Sequence, residues 1–129
     1  MEPLELEKSK AMIIVEIIEY VPDSVVIKTI IEKSTGNINA VSFDSGEKLE
    51  EKISPFDTFI QIIDGKAEII IEGKSNLLET GQSIIIPAHA RNSFKANDRF
   101  KMISTVIKSG YEEITLQVDR RCRIAVQCE

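Results

Sequence analysis

The chain has 129 residues, of which 43% are hydrophobic, 29% charged and 5% aromatic, and its formal net charge is -5. That is the length of a single domain, and a chain this long buries about two thirds of its unfolded surface without needing a disulfide or metal staple. The acidic balance gives no basic face for nucleic acid, since the densest basic spot is only Arg120-Arg121-Cys122-Arg123. One histidine, His89, and two cysteines, Cys122 and Cys128, make a sparse stock of soft metal ligands.

The N-terminal stretch Met1 to Lys8 is acidic and has no cationic segment ahead of an apolar one, which argues against a secretory signal. The most apolar early stretch, Ala11 to Val21, is interrupted by Glu16 and Glu19 and is about half the roughly 20 residues of a membrane span. The expectation is a cytoplasmic chain with no membrane partner. Its cysteines would then be reduced thiols that pack as small apolar side chains. Ile13, Ile14, Ile17, Ile18 and Val21 recur at helical spacing, and Pro22 ends the pattern. This spacing predicts one amphipathic helix of two to three turns, lying against the body of the domain and closing one end of it.

Beyond Pro22 the chain reads as short strands. The apolar or β-branched runs are Val25 to Ile31, Ile38 to Phe43, Thr58 to Ile63, Ala67 to Ile71, Ser83 to Ile86 and Phe100 to Ile107. Turn residues separate them at Ser34-Thr35-Gly36-Asn37, Asp44-Ser45-Gly46, Asp64-Gly65, Glu72-Gly73-Lys74, Gly81 and Ala96-Asn97-Asp98. Such spacing indicates a sandwich or barrel, and 22 isoleucines suit a pleated surface. Asp64-Gly65 between two apolar runs predicts a tight hairpin. Ile69-Ile70-Ile71 and Ile84-Ile85-Ile86 are apolar on both faces, so one face would line an interior and the other be covered by the N-terminal helix, a second sheet or another copy of the chain; the expectation is a homodimer through a sheet, with a monomer of two thick layers as the alternative. Past the barrel, Ile114 to Val118 alternates strictly and Arg123 to Gln127 follows, reading as one or two more strands. The expected organisation is an N-terminal segment with the helix over 1–22, a barrel over 23–110 and a C-terminal strand extension over 111–129.

The turn frames carry a resemblance. Gly46 to Gly65 resembles the first motif of the cupin superfamily, and Gly81-Gln82-Ser83-Ile84-Ile85-Ile86-Pro87-Ala88-His89-Ala90-Arg91-Asn92 resembles the second. An intervening hairpin from Ala67 to Leu78 has about the family length. The resemblance, to small single-domain cupins of the cupin 2 type, covers roughly Ile38 to Ile107. It implies an all-β fold, a cupin-type double-stranded β-helix or jelly-roll barrel, here with one short N-terminal amphipathic helix.

The resemblance also implies a metal site, and there the sequence departs. The two family histidines fall on Lys52 and Ser54, the family glutamate on Thr58 and the histidine of the second motif on Asn92. An ammonium, two hydroxyls and an amide offer none of the deprotonated nitrogen, sulfur or carboxylate donors that a divalent transition metal takes, so no metal and no cofactor is expected. Asp57 sits one residue off the glutamate position, on the opposite strand face, and reads as a local hydrogen-bond acceptor. His89 stands at a family turn glycine and is a residue tolerant of positive φ; it reads as a turn residue, with an acid–base group at the barrel mouth as the functional alternative.

Lys52, Ser54, Thr58 and Asn92 would then form a polar cluster that, with His89, could hold a carboxylate, phosphate or sugar. Against this stands a lysine that extends to solvent over a filled barrel. No phosphate-binding glycine run and no Gly-x-Ser-x-Gly elbow occurs, so no catalytic residue is singled out. The sequence reading is a metal-free binding module for a small polar or anionic metabolite. The alternatives are a metal-dependent oxygenase-, isomerase- or decarboxylase-like enzyme with non-standard ligands, and a structural or sensor dimer with a filled barrel.

Overall fold

The computed structural model describes residues 5–110. Eight strands follow one another: β1 (Val25–Lys33), β2 (Gly36–Phe43), β3 (Lys48–Ile53), β4 (Asp57–Ile71), β5 (Lys74–Glu79), β6 (Ser83–Ile86), β7 (Arg91–Lys95) and β8 (Phe100–Ile107). All pair antiparallel, in the order β1-β2-β8-β4-β7-β3, with β5 and β6 both pairing β4. Strand β4 is the spine. Its first half, Asp57 to Gln61, lies between β6 and β8, and its second half, Glu68 to Ile71, lies between β5 and β7. The sheet therefore curls over on itself through one 15-residue strand, giving the all-β rolled barrel expected from the strand spacing.

The predicted hairpin at Asp64-Gly65 does not form. The chain runs straight on through β4, with a register irregularity against β8 between Ile62 and Asp64 and Gly65 at φ 86°. Glycine is required there because a Cβ would collide with the Arg99 carbonyl oxygen and press on Phe100. Thr80 grips the kink through Gly65 N–H to Thr80 Oγ1 at 2.9 Å and Thr80 Oγ1 to the Gly65 carbonyl at 3.3 Å. The real hairpin is one turn later: Glu72 (φ 51°) and Gly73 (φ 78°) connect β4 to β5, with Ile71 opposite Lys74 and Ala67 opposite Leu78. Two successive positive φ values in a two-residue loop are those of a type I′ turn.

The N-terminal helix is also replaced by something smaller. Only a 3-10 turn, Ile14–Glu16, forms, and Ile13 ahead of it is extended. The helical spacing of the isoleucines is real, but β-branched side chains lose rotamer freedom in a helix, and the sheet competes for the carbonyls a helix would use. Lys101 donates from Nζ to the Val15 carbonyl at 2.7 Å and Ser42 from Oγ to the Glu19 carbonyl at 2.9 Å. Asp23 N–H goes to Asp44 Oδ2 at 2.8 Å. The segment is thus strapped across the outer face of the sheet rather than closing an end, and Ile18 is buried there against Ala40 and Ile103. Tyr20 is pinned over the same face: its hydroxyl donates to Asp64 Oδ2 at 2.6 Å, and the Arg99 and Lys101 cations lie 4.6 and 5.0 Å from its ring centre. Burial, and then the bond to Asp64, push its ionisation well above the usual phenol range.

The main core lies between the two halves of the roll. Phe43 stacks on Phe100, with ring centres 4.4 Å apart, and lies 6.1 Å from Phe94, while Ile60, Ile62 and Ile69 are fully buried around them. Ile86 belongs to this core, whereas its neighbour Ile85 faces outward. Among the described residues no helix is long and apolar enough to cross a membrane. The two predicted C-terminal strands, Cys122 and Cys128 lie outside the described residues.

Candidate functional site

In a strand every second residue faces the same side, so the lumen can be read strand by strand. On β2 the inward series is Asn37, Asn39, Val41, Phe43; on β8 it runs, in the opposite direction, Val106, Ser104, Met102, Phe100; on β4 it is Thr58, Ile60, Ile62; on β7 it is Asn92, Phe94. Register aligns these series, with Asn39 opposite Ser104 and Val41 opposite Met102. At one end of the barrel the inward positions are mostly polar, and at the other end they are apolar and closed by the stacked phenylalanines. The barrel is half filled and half open.

The open half is a cavity of about 280 Å³. Lys52, Ser54, Thr58 and Asn92 all line it, together with Asn37, Asn39 and Ser104, over an apolar floor that includes Ile60, Ile86, Phe94 and Met102. Lys52 reaches this wall because of a bulge. Leu49 is opposite Phe94 and Lys52 opposite Asn92, so Glu50 and Glu51 together face the single Ser93. The extra residue returns Lys52 to the same face as Leu49 and leaves both glutamates exposed and outside the lining. Lys52 is exposed at the rim, the one charged side chain of the lining, and among the described residues no carboxylate comes within ion-pair distance of it.

Asn92 is 3% exposed and carries the second anomaly of the site. Its Nδ2 donates to the Ala90 carbonyl at 3.2 Å and to the Lys52 carbonyl at 3.4 Å. These two acceptors fix the amide orientation, since the flipped form would set oxygen against two carbonyl oxygens. Its Oδ1 is then buried without a partner. A buried carbonyl oxygen left unpaired costs about 1–3 kcal/mol, which makes it a place where a ligand donor would gain. Ser54 is partly engaged, its Oγ accepting from Phe56 N–H at 3.2 Å.

His89 stands apart. It is exposed, does not line the cavity and has φ 70°, in the turn closed by Ala90 N–H to the Pro87 carbonyl at 3.2 Å. Its backbone N–H donates to the Ser54 carbonyl at 2.6 Å, so it serves the site by holding the end of β3. Asp57 caps the same turn, accepting from Ala88 N–H at 2.8 Å. The sequence reading missed Asn37, Asn39 and Ser104. The signal was present, because Asn37 and Asn39 are four and two residues before Val41, but Asn37 sits beside Gly36 and reads as turn.

The metal that the family resemblance implies does not fit these side chains. The lining contains no imidazole, thiol or carboxylate, and the described residues contain no group of three or more His, Cys, Asp or Glu that could hold an ion. A lysine ammonium at the first ligand position would repel a cation.

No family model and no curated protein matches the sequence. Solved structures do. A protein of unknown function from Streptococcus pyogenes is 26% identical and superposes with a TM-score of 0.77 over 84% of this chain and 96% of its own. A cupin superfamily protein from Desulfitobacterium hafniense is 23% identical, with a TM-score of 0.75 over 80% of this chain and 94% of its own. A cupin 2 conserved barrel domain protein from Leptotrichia buccalis is 26% identical, with a TM-score of 0.71 over 73% of this chain and 46% of its own. With a rolled sheet centred on one shared strand, the expected glycine frames and these neighbours, the chain has the fold of the cupin-superfamily barrels.

Proposed function

We propose that this cupin barrel is a metal-free binding module for a small polar or anionic metabolite, working as a cytoplasmic homodimer. The observation that carries the reading is the meeting of Lys52, Ser54, Thr58 and Asn92 in one cavity, with Lys52 its only charge and the Asn92 Oδ1 unpaired. A cation and neutral hydrogen-bonding groups above an apolar floor suit a ligand with one charged or polar end. The outward-facing Leu77 of β5 and Ile85 of β6 support a covered sheet face in a dimer.

Two measurements test the reading. Metal analysis of the purified chain is expected to give no stoichiometric transition metal; finding one would favour an enzyme with non-standard ligands. A metabolite panel read by melting temperature is expected to give at least one polar or anionic compound that stabilises the parent and not Lys52→Ala. At a ligand concentration of about 100 Kd the gain is about 2.7 kcal/mol, well above noise. A panel with no responder refutes the binding function and leaves a structural or sensor dimer, and a variant that responds like the parent refutes the Lys52 site.

A further inference from the structure

The cavity wall is specific about what it leaves unsatisfied. Among the described residues it offers one cation, Lys52, and no anion, so it has a partner for a single negative charge and none for a positive one. The flanking Glu50 and Glu51 and the net charge of -5 oppose a second negative charge on a ligand. It also holds one unpaired acceptor, Asn92 Oδ1, with almost no surface open to the cavity, so an O–H or N–H donor meets it only when the side chain turns toward the lumen. Lys52 and Asn92 are directly opposite each other across β3 and β7, so both demands arise on neighbouring positions of one wall. Asn37, Asn39, Thr58 and Ser104 add neutral groups able to hydrogen-bond further hydroxyls. The volume of about 280 Å³ is below that of sites for drug-sized ligands and has room for about nine water-sized groups.

From this pattern we infer that the ligand is a small hydroxylated monocarboxylate, its carboxylate at the Lys52 ammonium and a hydroxyl donating to Asn92 Oδ1. The inference rests on the cavity being a ligand site, as proposed above, and adds the ligand's class. Amino acids are excluded because their ammonium would enter a wall without a carboxylate. Dicarboxylates are excluded because their second charge would lie unpaired beside amides and apolar side chains.

A matched four-carbon set isolates each demand on the intact chain: threonate and its diastereomer erythronate, butyrate without hydroxyls, threitol without a carboxylate, and tartrate with a second carboxylate. Binding is measured by titration calorimetry and melting temperature at fixed ionic strength. At least one of the two hydroxy acids should bind, with butyrate, threitol and tartrate each about tenfold weaker, the scale of one buried hydrogen bond gained or left unmade. Asn92→Leu should bring the hydroxy acid down to the level of butyrate measured on the same variant. Lys52→Met should abolish binding of both acids. Butyrate binding as tightly as the hydroxy acids, and lost in Lys52→Met, would overturn the hydroxyl claim while leaving the cavity an anion site. Tartrate binding most tightly would overturn the single charge. No binding by any probe would overturn this inference, while the binding function stands or falls on the metabolite panel. The comparison of acids on the unmutated chain is decisive even where a variant fails to fold.

Discussion

Asn92→Leu gives the sharpest test of whether the site is built for a ligand at the expense of the fold. The substitution keeps the number and branching of the side-chain heavy atoms, with a modest gain in volume, and removes both ends of the amide. Leaving Oδ1 unpaired costs about 1–3 kcal/mol, and that cost disappears. The two bonds from Nδ2, at 3.2 and 3.4 Å, are lost, and bonds of that length belong at the low end of about 0.5–1.5 kcal/mol each. An apolar side chain at a position 3% exposed then adds burial, of about 1.5–3 kcal/mol if complete. The balance is a gain of about 1 kcal/mol or more, seen as a rise of about 3–5 °C in the melting temperature of the ligand-free protein. Scanning calorimetry and urea unfolding at neutral pH would measure it, with the urea slope unchanged. A fall in melting temperature would refute the reasoning. It would mean that the amide is a satisfied structural element and that nothing is held in reserve for a ligand.

Three further outcomes follow from the fold. Gly65→Ala is expected to destabilise by about 2–4 kcal/mol, from its φ of 86° and the collision with the Arg99 carbonyl, and a loss under about 1 kcal/mol in urea unfolding would show that the kink in β4 tolerates a side chain. Phe100→Ala, which removes a fully buried ring stacked on Phe43, should cost about 3–5 kcal/mol by the same assay, and a smaller loss would show that the core collapses around the gap. Glu5 is held down to a pKa of about 2, first by the Glu32 N–H and then by Lys8 and Lys33, which ties the N-terminal segment to β1. Because the folded value is depressed, its contribution is complete above the ordinary carboxylate value and is lost as pH falls toward 2. The melting temperatures of the parent and Glu5→Gln should therefore differ at pH 6 and converge near pH 2, and a gap constant across that range would remove Glu5 from the account.

How far the chain could be read without coordinates depended on whether local pattern and tertiary demand agreed. Ser83–Ile86 and Phe100–Ile107 are strands with the bounds expected, because their isoleucine- and valine-rich runs are bracketed by turn residues. The hairpin expected over Ala67 to Leu78 forms, with Lys74–Glu79 as its second arm, whereas Lys48–Ile53 and Arg91–Lys95 were not seen as strands, since their residues are largely charged or polar. Asp64-Gly65 and Glu72-Gly73 carry similar local signals. Only the approach of Arg99 and Phe100 decides that the first continues a strand and the second reverses it. At the site, the glycine and proline frames brought Lys52, Ser54, Thr58 and Asn92 to one cavity, although the bulge at Glu50-Glu51 that turns Lys52 inward has no mark in the local sequence. Asn37, Asn39 and Ser104 stayed hidden because polar residues facing a lumen look like polar residues facing water.

Strand β4 belongs to both halves of the roll, and this bears on how the molecule comes apart. Neither half owns a complete set of partners without it, so no sub-domain can persist after the other has melted, and unfolding should be all-or-none for the described barrel. Its neighbours β8 and β6 arrive from distant points in the chain, which places the assembly among slow-forming, high-contact-order topologies. A single kink residue in the middle of that shared rod, Gly65, therefore bears on the cooperativity of the whole described barrel.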